Sequence, residues 1–483
     1  MAATFHVQNF GCRAARADGE AVSSHLHSEG LRAGEPSTAD VVVVNACSVT
    51  AEADRTARAF IRRAHRLNPK AKIVVTGCYA QRAPDELAGL TGVAAVIGNS
   101  HKGLAPEIIF GLLGGTAAPT GNELIQILKP KTLERSNTEP MASPQVMVWA
   151  DDRFAHSFLE ETQVTPGAQT RPNLKIQEGC GNRCTFCVIP QTRGNSKSLS
   201  AEKILAQVEG FVAAGGRELV LSGINLGRWG RDFTGTEAPI KSTLAHLLRT
   251  IFEQTRLPRL RLSSIEPMDW DAELIGLMAE FGGERLARHA HLPLQSGSDA
   301  VLRRMHRRYR PWHYAERVAA LVKAAGPELT LGADVMVGFP GESDAEFEET
   351  VALVQSLPFG YLHLFSFSPR PGTPAWAMQV ERPVPLNVVA ERMAVLRALA
   401  SEISQTHRSR FIGHELEAIT LHTPAEMAAR GRTAALTGNF LPLELEGQLE
   451  SNQLVRARVS DLHADGTLNV VVVEPRRLSN LPL

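Results

Sequence analysis

The chain contains no run of apolar residues that approaches the length needed to cross a bilayer. Its start, Met-Ala-Ala-Thr-Phe-His-Val-Gln, has no basic segment followed by an apolar one, so no secretory leader is expected. Charge of one sign is missing as well: 51 Lys and Arg face 51 Asp and Glu. Bulk charge therefore gives no argument for a nucleic-acid partner, and any such site must come from local clustering. Aromatics are sparse at 6%, yet 43% hydrophobic residues over 483 positions is ample for large cores. That length suggests about three domains. Cysteine is scarce, with six in all. Without a leader, reduced and metal-binding thiols are expected rather than disulfides, in a cytoplasmic protein with no membrane partner.

Those six fall into two groups of three. Cys180, Cys184 and Cys187 form a tight C-x₃-C-x₂-C within Gly-Cys-Gly-Asn-Arg-Cys-Thr-Phe-Cys. Cys12, Cys47 and Cys78 are spread out, each at the end of an apolar or strand-like run. Three thiolates are one short of the four that close a structural zinc or iron–sulfur site, which leaves one metal position open. The bland alternatives are a zinc site completed by a distant His or Asp for the tight group, and three buried structural thiols for the spread one.

The first hundred residues alternate β-like and α-like runs: a strand at Thr4–Gln8, a helix at Gly19–Glu29, a buried strand at Asp40–Asn45, an amphipathic helix at Ala51–Leu67 and a buried strand at Lys72–Thr76. Such alternation implies an α/β, doubly wound parallel sheet. The three spread cysteines follow its first three strands, where functional loops gather at the carboxyl edge. Residues 3–113 read as this first domain. Residues 114–171 read as a linker with an added strand at Gln145–Trp149. Residues 172–404 hold six strand candidates, each followed by a plausible helix: Leu174–Gln177, Glu218–Gly223, Arg259–Ile265, His289–Leu294, Leu329–Val337 and Tyr361–Phe367. Six such units match a partial (β/α)₆ barrel. Residues 407–476, with runs at Glu415–Leu421, Thr433–Leu436, Phe440–Glu444, Leu454–Leu462 and Thr467–Val473, read as a small all-β barrel.

With Phe186 just before its last cysteine, the tight group resembles the radical S-adenosylmethionine (SAM) enzymes. From Phe5 to about Val473 the chain resembles their methylthiotransferase family. The stretches Asn-Phe-Gly-Cys12, Val-Asn-Ala-Cys47-Ser-Val-Thr and Val-Val-Thr-Gly-Cys78 match that family's N-terminal motifs. Lys-Ile-Gln-Glu-Gly-Cys180 through Val-Ile-Pro, then Arg193-Gly194, matches its radical loop, and His-Leu-Pro-Leu-Gln-Ser-Gly and Val-Gly-Phe-Pro-Gly-Glu follow in order. The resemblance implies two [4Fe-4S] clusters, one on each cysteine triplet, and SAM as both radical source and methyl donor. It also implies a tRNA partner recognised at adenosine 37 of the anticodon loop, a one-electron donor, a sulfur source, and an RNA-binding TRAM barrel at the C-terminus.

Three substrate classes compete: isopentenyladenosine 37, threonylcarbamoyladenosine 37, and a ribosomal-protein aspartate. Cys47-Ser-Val-Thr-Ala-Glu-Ala-Asp-Arg and Leu436-Thr-Gly-Asn-Phe440 look most like the threonylcarbamoyladenosine enzymes, whose product carries the methylthio group at C2. Ala15, Gly19 and Ala46 depart from the usual Asn, Ser and Thr. A rival of another class is a non-catalytic, zinc-stabilised RNA-binding protein. Gly215-Gly216-Arg217-Glu218 resembles the family's SAM-binding Gly-Gly-Glu motif, though Gly-Gly also ends helices. For RNA, Arg303, Arg304, Arg307 and Arg308 form the densest basic run, and Arg55, Arg58, Arg62, Arg63, His65 and Arg66 line a helix; the ordinary fate of such runs is a solvated face.

Overall fold

The computed structural model describes residues 3–114, 131–133, 146–152, 154, 170–234, 243–463 and 465–475. Most of the segment 114–171 thus lies outside the described residues. The chain divides into two compact units. The first comprises residues 1–162, 178–182 and 187–196; the second comprises 163–177, 183–186 and 197–483.

The first unit is built on a seven-stranded sheet in the order β2-β1-β3-β4-β5-β7-β6. Its strands are β1 (Thr4–Asn9), β2 (Arg32–Ala33), β3 (Val41–Asn45), β4 (Lys72–Gly77), β5 (Val93–Gly98), β6 (Lys131–Leu133) and β7 (Val146–Trp149). All neighbours are parallel except β6, which runs antiparallel to β7. Val41–Val44 is completely buried, as a strand covered on both faces must be. The helix Ala51–Leu67 forms where expected, because Thr50 caps it by accepting from the Ala53 N–H at 3.2 Å and Ala57, Phe60, Ile61 and Ala64 share its buried stripe.

The second unit contains β8 (Asn173–Glu178, its last residue counted with the first unit), β9 (Lys197–Ser198), β10 (Glu218–Gly223), β11 (Arg259–Leu262), β12 (His289–His291), β13 (Thr330–Val337) and β14 (Phe359–Ser366). They pair as β11-β10-β8-β9 and β12-β13-β14. The two sheets are joined by Ala287 N–H to Leu260 C=O (2.9 Å) and Ile265 N–H to His291 C=O (3.1 Å). The result is one arc of six parallel strands, the partial barrel expected. A closed five-stranded barrel follows, β15 (Glu415–Thr420), β16 (Arg432–Thr437), β17 (Pro442–Glu446), β18 (Leu454–Leu462) and β19 (Leu468–Pro475), in the order β15-β16-β17-β19-β18.

This small barrel is stitched to the six-stranded arc. Arg261 donates to Thr437 C=O (2.9 Å), Arg259 reaches Glu417, and the Asn439 amide donates to Glu328 C=O (3.1 Å). Phe440, in the left-handed region at φ 67°, packs 4.5 Å from the His289 ring and 5.5 Å from Tyr361. The Leu436–Phe440 pattern is therefore a structural plug. Phe440→Ala should lower stability by about 2–3 kcal/mol, below the value for a fully buried ring because this one is only half-buried. Urea unfolding of the full chain measures it; a change within error would mean the plug carries no load. Truncation after Ser404 would leave Arg259 and Arg261 without these partners, so such a chain would report folding as well as RNA affinity.

The long helix Leu386–Ser409 docks on the arc by a buried His407, whose Nε2 meets Thr330 Oγ1 at 2.9 Å. Burial, with Arg410 and Arg408 nearby, pushes His407 from 6.5 down to about 4. The folded state thus holds this ring neutral where the unfolded chain would protonate it. Stability from this group is fully present above pH 6.5 and is lost as pH falls toward 4, by about 2–3 kcal/mol. The urea midpoint should fall over that window, and His407→Gln should flatten the slope. An equal slope in both proteins would rule the assignment out.

Candidate metal centres

Cys12, Cys47 and Cys78 each stand at the carboxyl end of a neighbouring strand, β1, β3 and β4. Gly11, at φ 109°, is required here: a Cβ on it would sit 2.1 Å from Cys47 Cβ and 2.8 Å from Cys47 Sγ. That close approach lets Cys12 and Cys47 share a hydrogen bond, which lowers the Cys12 thiol while the same bond and burial raise Cys47. Cys78 opens the short helix Cys78–Arg82, and its Sγ accepts from Arg193 Nε at 3.1 Å and Asn99 Nδ2 at 3.4 Å.

Beneath Cys78 lies a buried quartet of charges. Arg193 bonds Glu178 at 2.6 Å and Asp18 at 3.0 Å; Lys102 meets Asp18 at 3.2 Å and also Glu178. All four side chains are at most 8% exposed, and two positive groups balance two negative ones. Burial opposes the Arg193 charge, but Cys78, Glu178 and Asp18 together hold its pKa well above the ordinary value. A guanidinium fixed against Sγ favours an anionic sulfur, as a metal-bound thiolate is. The departures Gly19, Ala15 and Ala46 line this same region. A Cβ on Gly19 would meet Asn9 Oδ1 at 1.7 Å; Ala15 C=O accepts from the Asn45 amide; Ala46 bridges Thr76 and Tyr79 through its backbone.

The second triplet lies in the loop after β8. Cys180 and Cys187 are counted with the first unit, Cys184 with the second. Gly179, at φ 70°, could not carry a Cβ, which would lie 2.0 Å from Asn195 C=O. Cys180 N–H is anchored on Gly194 C=O at 3.1 Å, and Cys180 Sγ accepts from Asn182 N–H at 3.4 Å. Thr185 pins the middle of the loop, its N–H on Met305 C=O (3.1 Å) and its hydroxyl on Arg304 C=O (2.9 Å). Phe186 packs edge-on to Phe339 at 6.5 Å. Cys184 Sγ receives Arg307 Nη1 at 3.4 Å, and Arg307 is held by Glu266 at 2.6 Å. None of the six cysteines is paired in a disulfide. A donor held against one sulfur of each triplet, Arg193 on Cys78 and Arg307 on Cys184, is compatible with an anionic, metal-bound thiolate at each.

Other expected contacts fall elsewhere. Glu218 begins β10, at the opposite end of the strand from its carboxyl edge, and is completely buried among Arg171, Arg259 and Arg261. Burial alone would raise its pKa; the three arginines overcome this and hold it at about 2. Its carboxylate is thus committed to structure rather than to a methionine ammonium. Gly215-Gly216 forms the turn before that strand, where a Cβ on Gly216 would meet the Phe211 ring at 2.2 Å. In the basic run, Arg307 is buried against Cys184, and Arg304 Nη1 and Nη2 grip Glu346 at 2.8 Å. Neither is left for a phosphate. Arg303 and Arg308, with side chains 62% and 43% exposed, remain at the surface. Sequence reasoning missed Arg307 as a neighbour of the cysteine loop, because an arginine-rich run carries no mark of which member is buried. Among the described residues no helix is long and apolar enough to cross a membrane.

Comparisons extend these observations. Residues 4–98 match "Uncharacterized protein family UPF0004", and residues 174–354 match the "Radical SAM superfamily". The chain is 34% identical to the threonylcarbamoyladenosine tRNA methylthiotransferase MtaB of Bacillus subtilis, over 92% of this chain and 91% of that protein. It is 34% identical to the protein of the same name from Aquifex aeolicus, over 94% and 99%. A tRNA-2-methylthio-N(6)-dimethylallyladenosine synthase from Thermobifida fusca is 33% identical, over 86% and 77%. In fold it resembles the radical S-adenosylmethionine methyltransferase TsrM from Kitasatospora setae, with a TM-score of 0.51 and 16% identity over 78% of this chain and 74% of that one.

Proposed function

Because this chain belongs to the radical-SAM tRNA methylthiotransferases, we propose that it places a methylthio group on C2 of N6-threonylcarbamoyladenosine at position 37 of tRNA. Two [4Fe-4S] clusters, one on Cys12, Cys47 and Cys78 and one on Cys180, Cys184 and Cys187, together with SAM, would supply the hydrogen-abstracting radical and the methylthio group. What supports this reading is the pair of cysteine triplets, in each of which a buried arginine donates to one sulfur. Adenine C2–H is unactivated, so acid–base and nucleophilic side chains have no direct means of replacing that hydrogen. The chain's own part is to position and shield. Arg193 and Asn99 fix the Cys78 sulfur; Arg307 and the Thr185 contacts fix Cys184.

The 33% identity to a dimethylallyladenosine synthase favours a second reading, in which the substrate bears an isopentenyl group. Anticodon stem-loops carrying threonylcarbamoyl, isopentenyl or unmodified adenosine 37, incubated with the reconstituted enzyme and analysed as nucleosides, separate the two. Methylthiolation of the threonylcarbamoyl form is expected. Product on the isopentenyl form alone would move the chain to the sister class. Protein carrying zinc and no iron would instead favour a non-catalytic RNA-binding role.

A further inference from the structure

One face of β12, β13 and β14 is chemically unlike the other. Ala290, Leu292, Leu331, Ala333 and Val335 form a fully buried apolar side. The opposite side carries His291, Asp334 and His363, one on each strand, in the register His291↔Gly332↔Tyr361 and Asp334↔His363. Gly332 makes room for Tyr361 beside them: a Cβ there would lie 2.1 Å from the tyrosine ring. Tyr361 OH meets His291 Nδ1 at 3.0 Å and His289 Nε2 at 2.8 Å. One ring nitrogen of His291 is thus engaged, and the other, Nε2, points to Asp334 Oδ1 at 3.1 Å. His363 Nδ1 reaches the same oxygen at 3.4 Å. Ligand atoms of all three residues lie within 4.8 Å of one another.

Two imidazoles and a carboxylate are the ligand set of borderline divalent ions such as zinc and ferrous iron. Ligands held about 2.0–2.1 Å from a tetrahedral ion stand about 3.3 Å apart, close to both separations here. The tyrosine supplies what a ligating histidine requires, a ring fixed by a hydrogen bond on its second nitrogen. The protons also balance. His291 Nδ1–H donates to Tyr361, Tyr361 donates to His289 Nε2, and the lone pair on His291 Nε2 is left for a cation. Exposure rises from 8% at the His291 side chain through 23% at Asp334 to 55% at His363. The group is therefore anchored at one end and open to ions at the other.

We propose that His291 Nε2, Asp334 Oδ1 and His363 Nδ1 form a mononuclear zinc site that uses none of the six cysteines, with a fourth position open to water or an anion. The inference is independent of the substrate reading above, since no part of it depends on which nucleoside is modified. Its test uses the full-length protein reconstituted with iron and sulfide, so that its thiols are occupied. The protein is incubated anaerobically with excess zinc sulfate, freed of unbound ion by gel filtration, and analysed for zinc and iron and by X-ray absorption at the zinc edge. Zinc displaces any ferrous iron held by these three residues, because it stands above iron in divalent affinity. About one zinc per chain is expected, with nitrogen and oxygen neighbours at about 2.0–2.2 Å and no sulfur at about 2.3 Å. His363→Ala should cut zinc affinity by about 100-fold or more at unchanged iron content, the exposed side chain being removable without loss of fold. Tyr361→Phe keeps all three ligands and should weaken zinc binding by about 10–100-fold through the freed His291 ring. Wild type that retains no zinc would overturn the proposal and leave the three side chains a hydrogen-bonded triad. Equal zinc in wild type and His363→Ala, or sulfur neighbours around the metal in wild type, would overturn it in favour of a site elsewhere or on cysteine.

Discussion

Cys184→Ala is expected to abolish reductive cleavage of SAM to 5′-deoxyadenosine while leaving a folded protein that keeps about half its iron, one cubane of two. The physical reason begins with ligand count. Three thiolates are the minimum the loop after β8 offers, and the chain has no spare cysteine to replace one. Alanine also leaves Arg307 facing an apolar methyl instead of Sγ at 3.4 Å, though Glu266 and Tyr309 still hold it. The loop's backbone anchors, Thr185 to Met305 and Arg304, do not involve Cys184, so loss of activity should occur without loss of fold. Iron analysis and quantification of 5′-deoxyadenosine after chemical reduction check both halves. Wild-type rates of 5′-deoxyadenosine formation in this variant would sink the assignment of Cys180, Cys184 and Cys187. Arg307→Gln provides a milder companion, with the cysteine ligands intact but one N–H···S contact gone.

Where the sequence was legible, the reason was periodicity or rare chemistry. The helix Ala51–Leu67 was readable to its ends because a capping threonine precedes a clean apolar stripe. The first helix was not: it starts at Arg13, directly after Cys12, with no side-chain cap, and runs through Gly19 rather than beginning there. Gly19 marks a close approach to Asn9, and a glycine that serves packing looks identical to one that serves a helix boundary. Phe440 read as the start of a strand, whereas its positive φ closes a turn and β17 begins at Pro442. An aromatic in the left-handed region is held there by the rings and arginine around it, which local propensity does not encode.

The cysteines declared themselves because so few residues can take their place. Their supporting charges did not. Asp18, Lys102, Glu178 and Arg193 are spread over 176 positions of the chain, and each read singly is an ordinary surface residue. Only folding shows that they neutralise one another beneath Cys78. The same holds for Glu218, which a Gly-Gly-Glu pattern made look like a ligand contact and which three arginines claim instead. A buried charge demands partners, and those partners come from distant segments.

Cys47→Ala should separate the two activities in the opposite sense: no methylthiolated product, but SAM cleavage at near wild-type rate. Cys47 is nearly completely buried, at 3% exposed, bonds the Cys12 thiol and packs directly against Gly11. On the proposed function, removing its sulfur deletes one of three ligands at the N-terminal site, whose other two cannot close a cubane. The volume change is small and local, and the Arg193, Glu178, Asp18 and Lys102 quartet contacts Cys78 rather than Cys47, so the fold around the site should persist. Cys180, Cys184 and Cys187 are untouched, and on the proposed function SAM cleavage depends on those. The variant should therefore hold about half the wild-type iron, produce 5′-deoxyadenosine, and leave the adenosine of a threonylcarbamoyl stem-loop without a methylthio group. Comparison with Cys184→Ala makes the inference sharp, because equal iron contents with opposite SAM-cleavage results can arise only if the two triplets hold separate clusters with separate tasks. Undiminished methylthiolation by Cys47→Ala would reject the role of the N-terminal triplet in supplying sulfur.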